Sequence, residues 1–192
     1  MPGKIVLFAA PSGAGKTTIV KHLLKVNPNL SFSISACTRD KRGRSEENGK
    51  DYYFITPDEF RKKIEAHEFV EWEEVYEGAF YGTLKSEIER IWAEGKTAIL
   101  DVDVKGGLKI KDYYKNRVLG VFVKPPSLEE LGLRLQARNS DSSSSISSRL
   151  FKASFEMSFE DKFDTVIVND DLARACAEAE QLVNAFLSDS NN

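Results

Sequence analysis

The chain alternates between two kinds of apolar pattern. Short, continuously apolar and β-branched runs recur at "KIVLFAA", "SFSISAC", "TAILDVDV", "VLGVFV" and "TVIVND". Between them lie longer segments whose apolar residues return at helical spacing: "TTIVKHLLKV", "LKSEIERIWAEG", "LEELGLRLQAR" and "LARACAEAEQLVNAFLSD". A strand that is apolar on both sides needs both faces covered, and amphipathic helices between such strands supply the cover. The pattern predicts an α/β fold, a parallel sheet sandwiched by helices. Two insertions break the alternation. One, from Ser33 to Tyr81, is rich in aromatic and charged residues and reads as short strands "DYYFIT" and "EFVEW" flanking a helix "PDEFRKKIEAHE". The other, "RNSDSSSSISSR", carries a serine run beside helical segments and is expected to be a flexible connector. No internal repeat is present.

Composition narrows the picture. A chain of 192 residues with 41% hydrophobic positions suits one domain with a real core. Lys and Arg number 27 against 30 Asp and Glu, so the formal net charge of -3 offers no overall field for nucleic acid or an anionic membrane. A small anionic ligand needs only a local cationic site. Cys37 and Cys176 have neither metal-ligand spacing nor the numbers for a disulfide framework, which fits a reducing compartment. The opening "MPGKIVLFAAPSG" has too short an apolar run for a signal peptide or a membrane span, so a cytoplasmic protein is expected.

The first strand candidate runs into the most specific motif in the chain. Ala10 to Thr17 reads A-P-S-G-A-G-K-T against the phosphate-loop pattern G-x-x-x-x-G-K-[ST], with alanine at the first glycine. Small residues at Ser12, Gly13, Ala14 and Gly15 let backbone N–H groups close around phosphate oxygens, between Pro11 and Thr18. The helix beginning near Lys16 adds its positive N-terminal end. Lys16 then bridges the β- and γ-phosphates, and Thr17 offers a hydroxyl to Mg²⁺. A glycine turn with an exposed lysine is the plainer alternative, and the register of strand, loop, lysine, hydroxyl and helix disfavours it. Further on, "DVDVKGG" places Asp101 and Asp103 at the end of a second apolar strand, where a carboxylate approaches Mg²⁺ from beside the loop. Asp103 opens a D-x-x-G that also suits a GTPase switch, but no N-K-x-D follows to read the guanine of a bound GTP. The first ligand is therefore expected to be a nucleoside triphosphate.

The insertion "SISACTRDKRGRSEENGKDYYF" sets Arg39, Arg42 and Arg44 before Tyr52 and Tyr53. Guanidinium forks and a phenol suit a phosphate monoester, although arginines in a polar loop are often simply solvated, as Arg44 is expected to be. In "EFVEWEEVYEGAFYGT", Glu71 stands beside Trp72 in an apolar strand, with Tyr81 and Thr83 beyond a turn. A lone carboxylate among aromatics is poorly solvated unless it has a partner. Guanine supplies one, because its N1–H and N2 amino group are adjacent donors, whereas adenine presents an acceptor at N1.

From Ile5 to Leu187 the chain resembles guanylate kinase, on "APSGAGKT", "FSISACTR", "ENGKDYYF", "EFVEWEEV", "FYGT", "ILDVDVKGG", "PPSLEEL", "RLQAR" and "VIVNDDL" in family order. The resemblance implies a P-loop nucleotide monophosphate kinase fold. Its core would be 1–32, 83–126 and 157–192, its GMP-binding subdomain 33–82 and its lid 127–156. It also implies transfer of the γ-phosphate of ATP, carried with Mg²⁺, to GMP in purine metabolism, by a monomer or homodimer. By position, Ser35, Glu71, Thr83 and Asp101 would contact guanine, and Arg39, Arg42, Tyr52 and Tyr81 the GMP phosphate. Asn169 and Asp170 would lie near the adenine of ATP, and Thr17 and Asp103 at Mg²⁺, partly through water. The interval between Arg42 and Glu46 is longer than the family's common R-x-x-E, which leaves Arg44 as the alternative second phosphate ligand. "SDSSSSISS" replaces the family's acid-containing lid loop, a change expected to act on lid mobility rather than chemistry.

Arg134 and Arg138, at i and i+4, share one face of a helix, and Arg149 follows the serine run. Like charges so placed repel each other, so a polyanion gives the arrangement a purpose. With Lys16 they are the candidate catalytic cations. Two rivals stand beside this reading: a kinase of another small phosphate ester, and a catalytically inactive guanylate-kinase-like module that binds phosphorylated peptides. The latter typically lacks a competent phosphate loop and lid arginines. His22, His67, Cys37 and Cys176 carry no assigned role.

Overall fold

The computed structural model describes residues 3–41, 46–76, 78–137 and 143–189. Its elements run β1 (Ile5–Ala9), α1 (Lys16–Val26), β2 (Leu30–Phe32), β3 (Ala36–Cys37), β4 (Tyr53–Phe54), α2 (Pro57–Glu65), β5 (Phe69–Tyr76) and β6 (Ala79–Leu84). They continue through α3 (Lys85–Ala93), β7 (Thr97–Val102), α4 (Val104–Tyr114), β8 (Val118–Lys124), α5 (Leu128–Ala137), α6 (Ser143–Met157), β9 (Thr165–Val168) and α7 (Leu172–Ser188). β2, β7, β1, β8 and β9 form a parallel sheet in that order. β4, β3, β6 and β5 form a second, mixed sheet.

The expected sandwich is present, and β1 explains it. Val6 and Phe8 pack toward α1 and α7 with Ile19, Leu23, Ala175 and Val183, whereas Ile5, Leu7 and Ala9 pack toward α3 and α4 with Ile88, Ile91 and Ile110. Each large apolar side chain buried this completely contributes about 1.5–3 kcal/mol, so a central strand of such residues holds two helical layers to one sheet. The chain order then makes a crevice. β1 leads through α1 to β2 on one flank, while β7, next to β1, leads past it to β8 on the other. Where strand order reverses in this way, the carboxyl ends of the strands diverge and leave room for a ligand.

Several elements differ from the apolar pattern. The run "SFSISAC" reads as one strand but is divided between the two sheets. The N–H of Ser33 makes the last contact to the parallel sheet, at 3.0 Å from the carbonyl of Ile99. The next N–H, of Ile34, turns instead to the Glu87 carboxylate at 3.1 Å. β6 and α4 were not legible. β6 exists through antiparallel pairing with β5 and β3, and α4 is short of apolar residues and carries Gly106 and Gly107. The serine run was expected to be a flexible connector, yet from Ser143 onward it forms the start of α6. Leu150 and Ala153 pack there against Leu131 and Leu135 of α5, and Met157 packs against the main core. That burial outweighs the weak helix preference of serine.

In the second sheet, Phe60 of α2 stacks on Phe69 of β5 with ring centroids 4.4 Å apart, over Ala36 and Leu84. α2 starts with a reciprocal capping box. The Glu59 N–H donates to Thr56 Oγ1 at 3.2 Å, and the Thr56 N–H donates to Glu59 Oε2 at 2.8 Å.

Candidate active site

Between β1 and α1 the chain folds into a loop that requires glycine twice. Gly13 and Gly15 have φ of 99° and 94°, in the left-handed region. A Cβ on Gly15 would also lie 2.2 Å from Nδ2 of Asn169. That amide donates to the carbonyl of Ala14 at 2.7 Å, so Asn169, just past β9, is a buried buttress behind the loop. It also lines a cavity of about 390 Å³ with Gly13, Gly15, Thr18, Arg134 and Asp170. Asp170 is exposed and is engaged by Arg174.

On the other side of the loop is a cavity of about 320 Å³, lined by Ala10, Pro11, Ser12, Gly13, Gly15, Lys16, Thr17, Thr18, Asp101, Asp103, Arg149, Lys152 and Glu156. Lys16 Nζ contacts Asp101 Oδ1 and donates to the Val102 carbonyl at 2.9 Å. Thr17 Oγ1 donates to Asp101 Oδ2 at 2.7 Å. Burial pulls the Lys16 ammonium down to about 7, against the attraction of Asp103 and Glu156. The contact with Asp101 works in the same direction as those two carboxylates and favours the charged form. Asp103 caps α4, accepting from the Gly106 N–H at 2.7 Å.

A further cavity of about 190 Å³ meets this one at Asp101, Val102 and Asp103, and is lined by Ser35, Tyr52, Glu71, Tyr81, Gly82 and Lys152. Glu71 is only 8% exposed. Its Oε1 accepts from Thr83 Oγ1 at 2.7 Å, so Thr83 sits behind the carboxylate, itself buried. Burial raises the Glu71 pKa to about 7; the Thr83 bond opposes this and the charge of Asp103 adds to it. A Cβ on Gly106 would fall 3.0 Å from Glu71 Oε2 and 3.1 Å from Asp103 Oδ1, so the bare first turn of α4 lets two carboxylates approach one another.

Arg39 does not line that cavity. Its guanidinium forks onto Glu46 with both bonds at 2.7 Å and lies over the ring of Tyr52, 4.9 Å from the centroid. Tyr52 and Tyr81 pack edge to face at 6.1 Å. Arg42 and the alternative Arg44 lie outside the described residues, as does Arg138. Of the other lid arginines, Arg149 faces the Lys16 cavity, and Arg134 pairs with Glu130 at 3.1 Å beside the Asn169 cavity.

Lys152 and Glu156 were missed. Lys152 lines both the Lys16 and the Glu71 cavities and stands 3.6 Å from the buried Glu156 carboxylate. Burial raises the Glu156 pKa. Arg149, Lys152 and Glu156 recur at intervals of three and four, a polar stripe among apolar neighbours that the sequence carried. Among the described residues no group of three or more His, Cys, Asp or Glu could hold a metal ion, and no helix is long and apolar enough to cross a membrane.

This geometry agrees with the comparisons to known proteins. Residues 2–186 match the family model described as guanylate kinase. A guanylate kinase of Bacteroides thetaiotaomicron is 50% identical over 98% of this chain and 92% of its own length. One of Porphyromonas gingivalis is 49% identical over 96% of this chain and 98% of its own. The crystal structure of guanylate kinase from Anaplasma phagocytophilum superposes with a TM-score of 0.78 at 30% identity, over 98% of this chain and 88% of that one. With a phosphate-loop cavity and a buried carboxylate meeting at the end of β7, and this likeness along nearly its whole length, the chain belongs to the guanylate kinase family of ATP-dependent nucleoside monophosphate kinases.

Proposed function

We propose that the chain transfers the γ-phosphate of Mg-ATP to GMP, and to dGMP, giving ADP and the guanine diphosphate. One observation carries the reading: the Lys16 cavity and the Glu71 cavity meet at Asp101, Val102 and Asp103. A phosphate donor in the first and an acceptor nucleotide in the second would bring their phosphates together at that junction. The buried Glu71 carboxylate selects the base, because guanine offers it two adjacent donors and adenine offers an acceptor. Neither a kinase of another phosphate ester nor an inactive module is favoured by the family and its relatives.

The residues divide the work. Loop N–H groups from Ser12 to Gly15 and the start of α1 cradle the donor phosphates. Lys16 exchanges Asp101 for the β- and γ-phosphates, a swap that keeps a buried ammonium paired in both states. Arg149, Arg134 and Arg138 complete the neutralisation of the transferring group, with adenine held near Asn169 and Asp170. On the acceptor side Ser35, Glu71 and Asp101 form the base pocket, with Thr83 holding the Glu71 carboxylate from behind, while Arg39, Arg42, Tyr52 and Tyr81 take the phosphate, Arg39 leaving Glu46 to do so. The GMP phosphate has a second pKa of about 6 and is largely dianionic at neutral pH, so no general base is needed and positioning dominates. The oxygen donors of Thr17, Asp101 and Asp103 around the first cavity suit Mg²⁺, which prefers carboxylates, water and substrate phosphates. Thr17 and Asp103 would hold it, and it would supply charge neutralisation at the phosphates. The division into core, acceptor segment 33–82 and lid 127–156 is supported by the separate mixed sheet and the separate apolar cluster of α5 and α6.

The test is ADP formation from Mg-ATP with GMP, dGMP, AMP, CMP, UMP and dTMP offered in turn. Turnover confined to guanine monophosphates is expected. Comparable turnover with AMP, or none with GMP, would overturn the reading.

A further inference from the structure

Glu87 of α3 lines neither substrate cavity, yet it is one of the few buried acids, at 3% exposed. Its Oε1 accepts from the Ile34 N–H at 3.1 Å and its Oε2 from the Tyr53 hydroxyl at 2.9 Å. Arg90, one turn on, closes the cluster with bonds of 3.0 and 2.8 Å to the two oxygens. Burial alone would favour the protonated acid, but Arg90, the Ile34 N–H and Tyr53 together hold it below the usual carboxylate range.

The partners matter for what stands next to them. Ile34 immediately precedes Ser35, and Tyr53 immediately follows Tyr52; Ser35 and Tyr52 both line the Glu71 cavity. The two segments are also joined to each other, since the Tyr53 N–H donates to the Ser35 carbonyl at 2.9 Å. α3 itself belongs to the main core, through Ile88 and Ile91 packed with Leu7 and Leu100. One carboxylate rooted in the rigid core therefore holds, on its two oxygens, the backbone beside one acceptor ligand and the side chain beside another.

We propose that Glu87 is a positioning residue of the acceptor site: it sets Ser35 and Tyr52 at their working distance from the core, and so governs acceptor binding without touching the acceptor. The proposal rests on the reading of the Glu71 cavity as the GMP site. It predicts that the effect of Glu87 is carried by hydrogen bonds rather than by charge.

The experiment compares KM for GMP, KM for ATP, kcat and thermal midpoint in Glu87→Ala, Glu87→Gln and Tyr53→Phe. Losing hydrogen bonds to a buried charged group corresponds to a rise of about tenfold or more in KM for GMP in Glu87→Ala, with KM for ATP unchanged. Glu87→Gln keeps an acceptor for the Ile34 N–H, and its amide can donate to the Tyr53 hydroxyl, but the same amide opposes the Arg90 N–H that Oε2 accepts, so a recovery part of the way from Glu87→Ala towards wild type is expected. Tyr53→Phe removes one of the two arms and is expected to give an intermediate rise. A purely structural role would lower the thermal midpoint while leaving KM for GMP unchanged in protein that remains folded, and that result overturns the proposal. An equal rise in both KM values overturns it as well. Should Glu87→Ala fail to fold, Tyr53→Phe decides by the same criterion. Wild-type protein without GMP turnover would sink the functional reading and this inference with it; wild-type turnover with unchanged KM in the variants sinks the inference alone.

Discussion

The cavities at Lys16 and at Glu71 share a wall but are built by opposite routes. The first comes mainly from one contiguous stretch, Ala10 to Thr18, the glycine loop and the start of α1. The second draws Glu71 and Tyr81 from β5 and β6 of the mixed sheet, and Ser35 and Tyr52 from the positions just ahead of β3 and β4. On the proposed assignment of the two cavities, the difference reflects the ligands. A phosphate is recognised by charge and by many equivalent oxygens, which a short loop at a helix N-terminus can satisfy. A base is recognised by the order of its donors and acceptors, which needs a side chain held away from water, and only a packed fold can keep a carboxylate there.

If the two sites are so divided, each can be damaged alone. The largest effect is expected from Lys16→Met, which removes a preorganised cation from the transferring phosphate and should lower kcat by about 10²–10³ while GMP binding survives. Steady-state kinetics together with GMP titration of the variant check this. Loss of GMP binding to the same degree would show that the cavities are one unit. Glu71→Gln should act in the mirror sense. Losing a charge-assisted hydrogen bond corresponds to about 1.5–3 kcal/mol, or roughly tenfold to a hundredfold in KM for GMP, with KM for ATP unmoved. Gly15→Ala is expected to cost about 1–3 kcal/mol of stability from the left-handed backbone alone. It should also raise KM for ATP, because the added Cβ meets Asn169, and denaturant unfolding with ATP kinetics measures both.

The smallest effect is a proton. Free Glu71 has a pKa of about 7, and guanine's donors favour its charged form, so binding of GMP between pH 6 and 7 should release protons. Calorimetry in buffers of different ionisation enthalpy reads the release. The phosphate of GMP titrates near pH 6 as well, so the Glu71 share is the difference between wild type and Glu71→Gln. The same shift acts on stability with the opposite benefit. A carboxyl whose pKa rises from 4.5 to about 7 on folding binds more protons when folded, so its contribution is full below 4.5 and lost as pH climbs through 7. Glu71→Gln should therefore stabilise the free protein more at pH 8 than at pH 5. A pH-independent difference in thermal midpoint would contradict the burial of a titrating carboxylate.

Much of the molecule was legible before folding, for identifiable reasons. The central strands β1, β7 and β8 of the parallel sheet are buried on both faces, so their apolar runs stand out, although the run at Ser33 was divided by a carboxylate from α3 that no local pattern announces. The phosphate loop was legible because strand, glycines, lysine and helix are consecutive. β6 was hidden because its strand character comes from pairing with β5 and β3, and α4 because Gly106, beside Glu71, and Gly107, against Phe163 and Leu7, dilute its apolar stripe. α6 was hidden because serine says little until Leu150 and Ala153 have α5 to pack on.

At the site the division is the same. The expected residues largely stand around the two cavities, but their partners came from far along the chain. Asp101 meets Lys16 and Thr17, and Asn169 supports the loop from behind. Sequence by itself determined the α/β layering, the phosphate loop and the kind of ligand it takes, because these follow from side chains near one another in the chain and from the period of their apolar positions. Tertiary structure alone decided that Glu71 is buried against Thr83 and Gly106, that Lys152 spans both cavities, and that Glu87 ties Ile34 and Tyr53 to a helix of the main core. Each of those depends on desolvation and on contacts across sheets, and these exist only once distant segments have excluded water together.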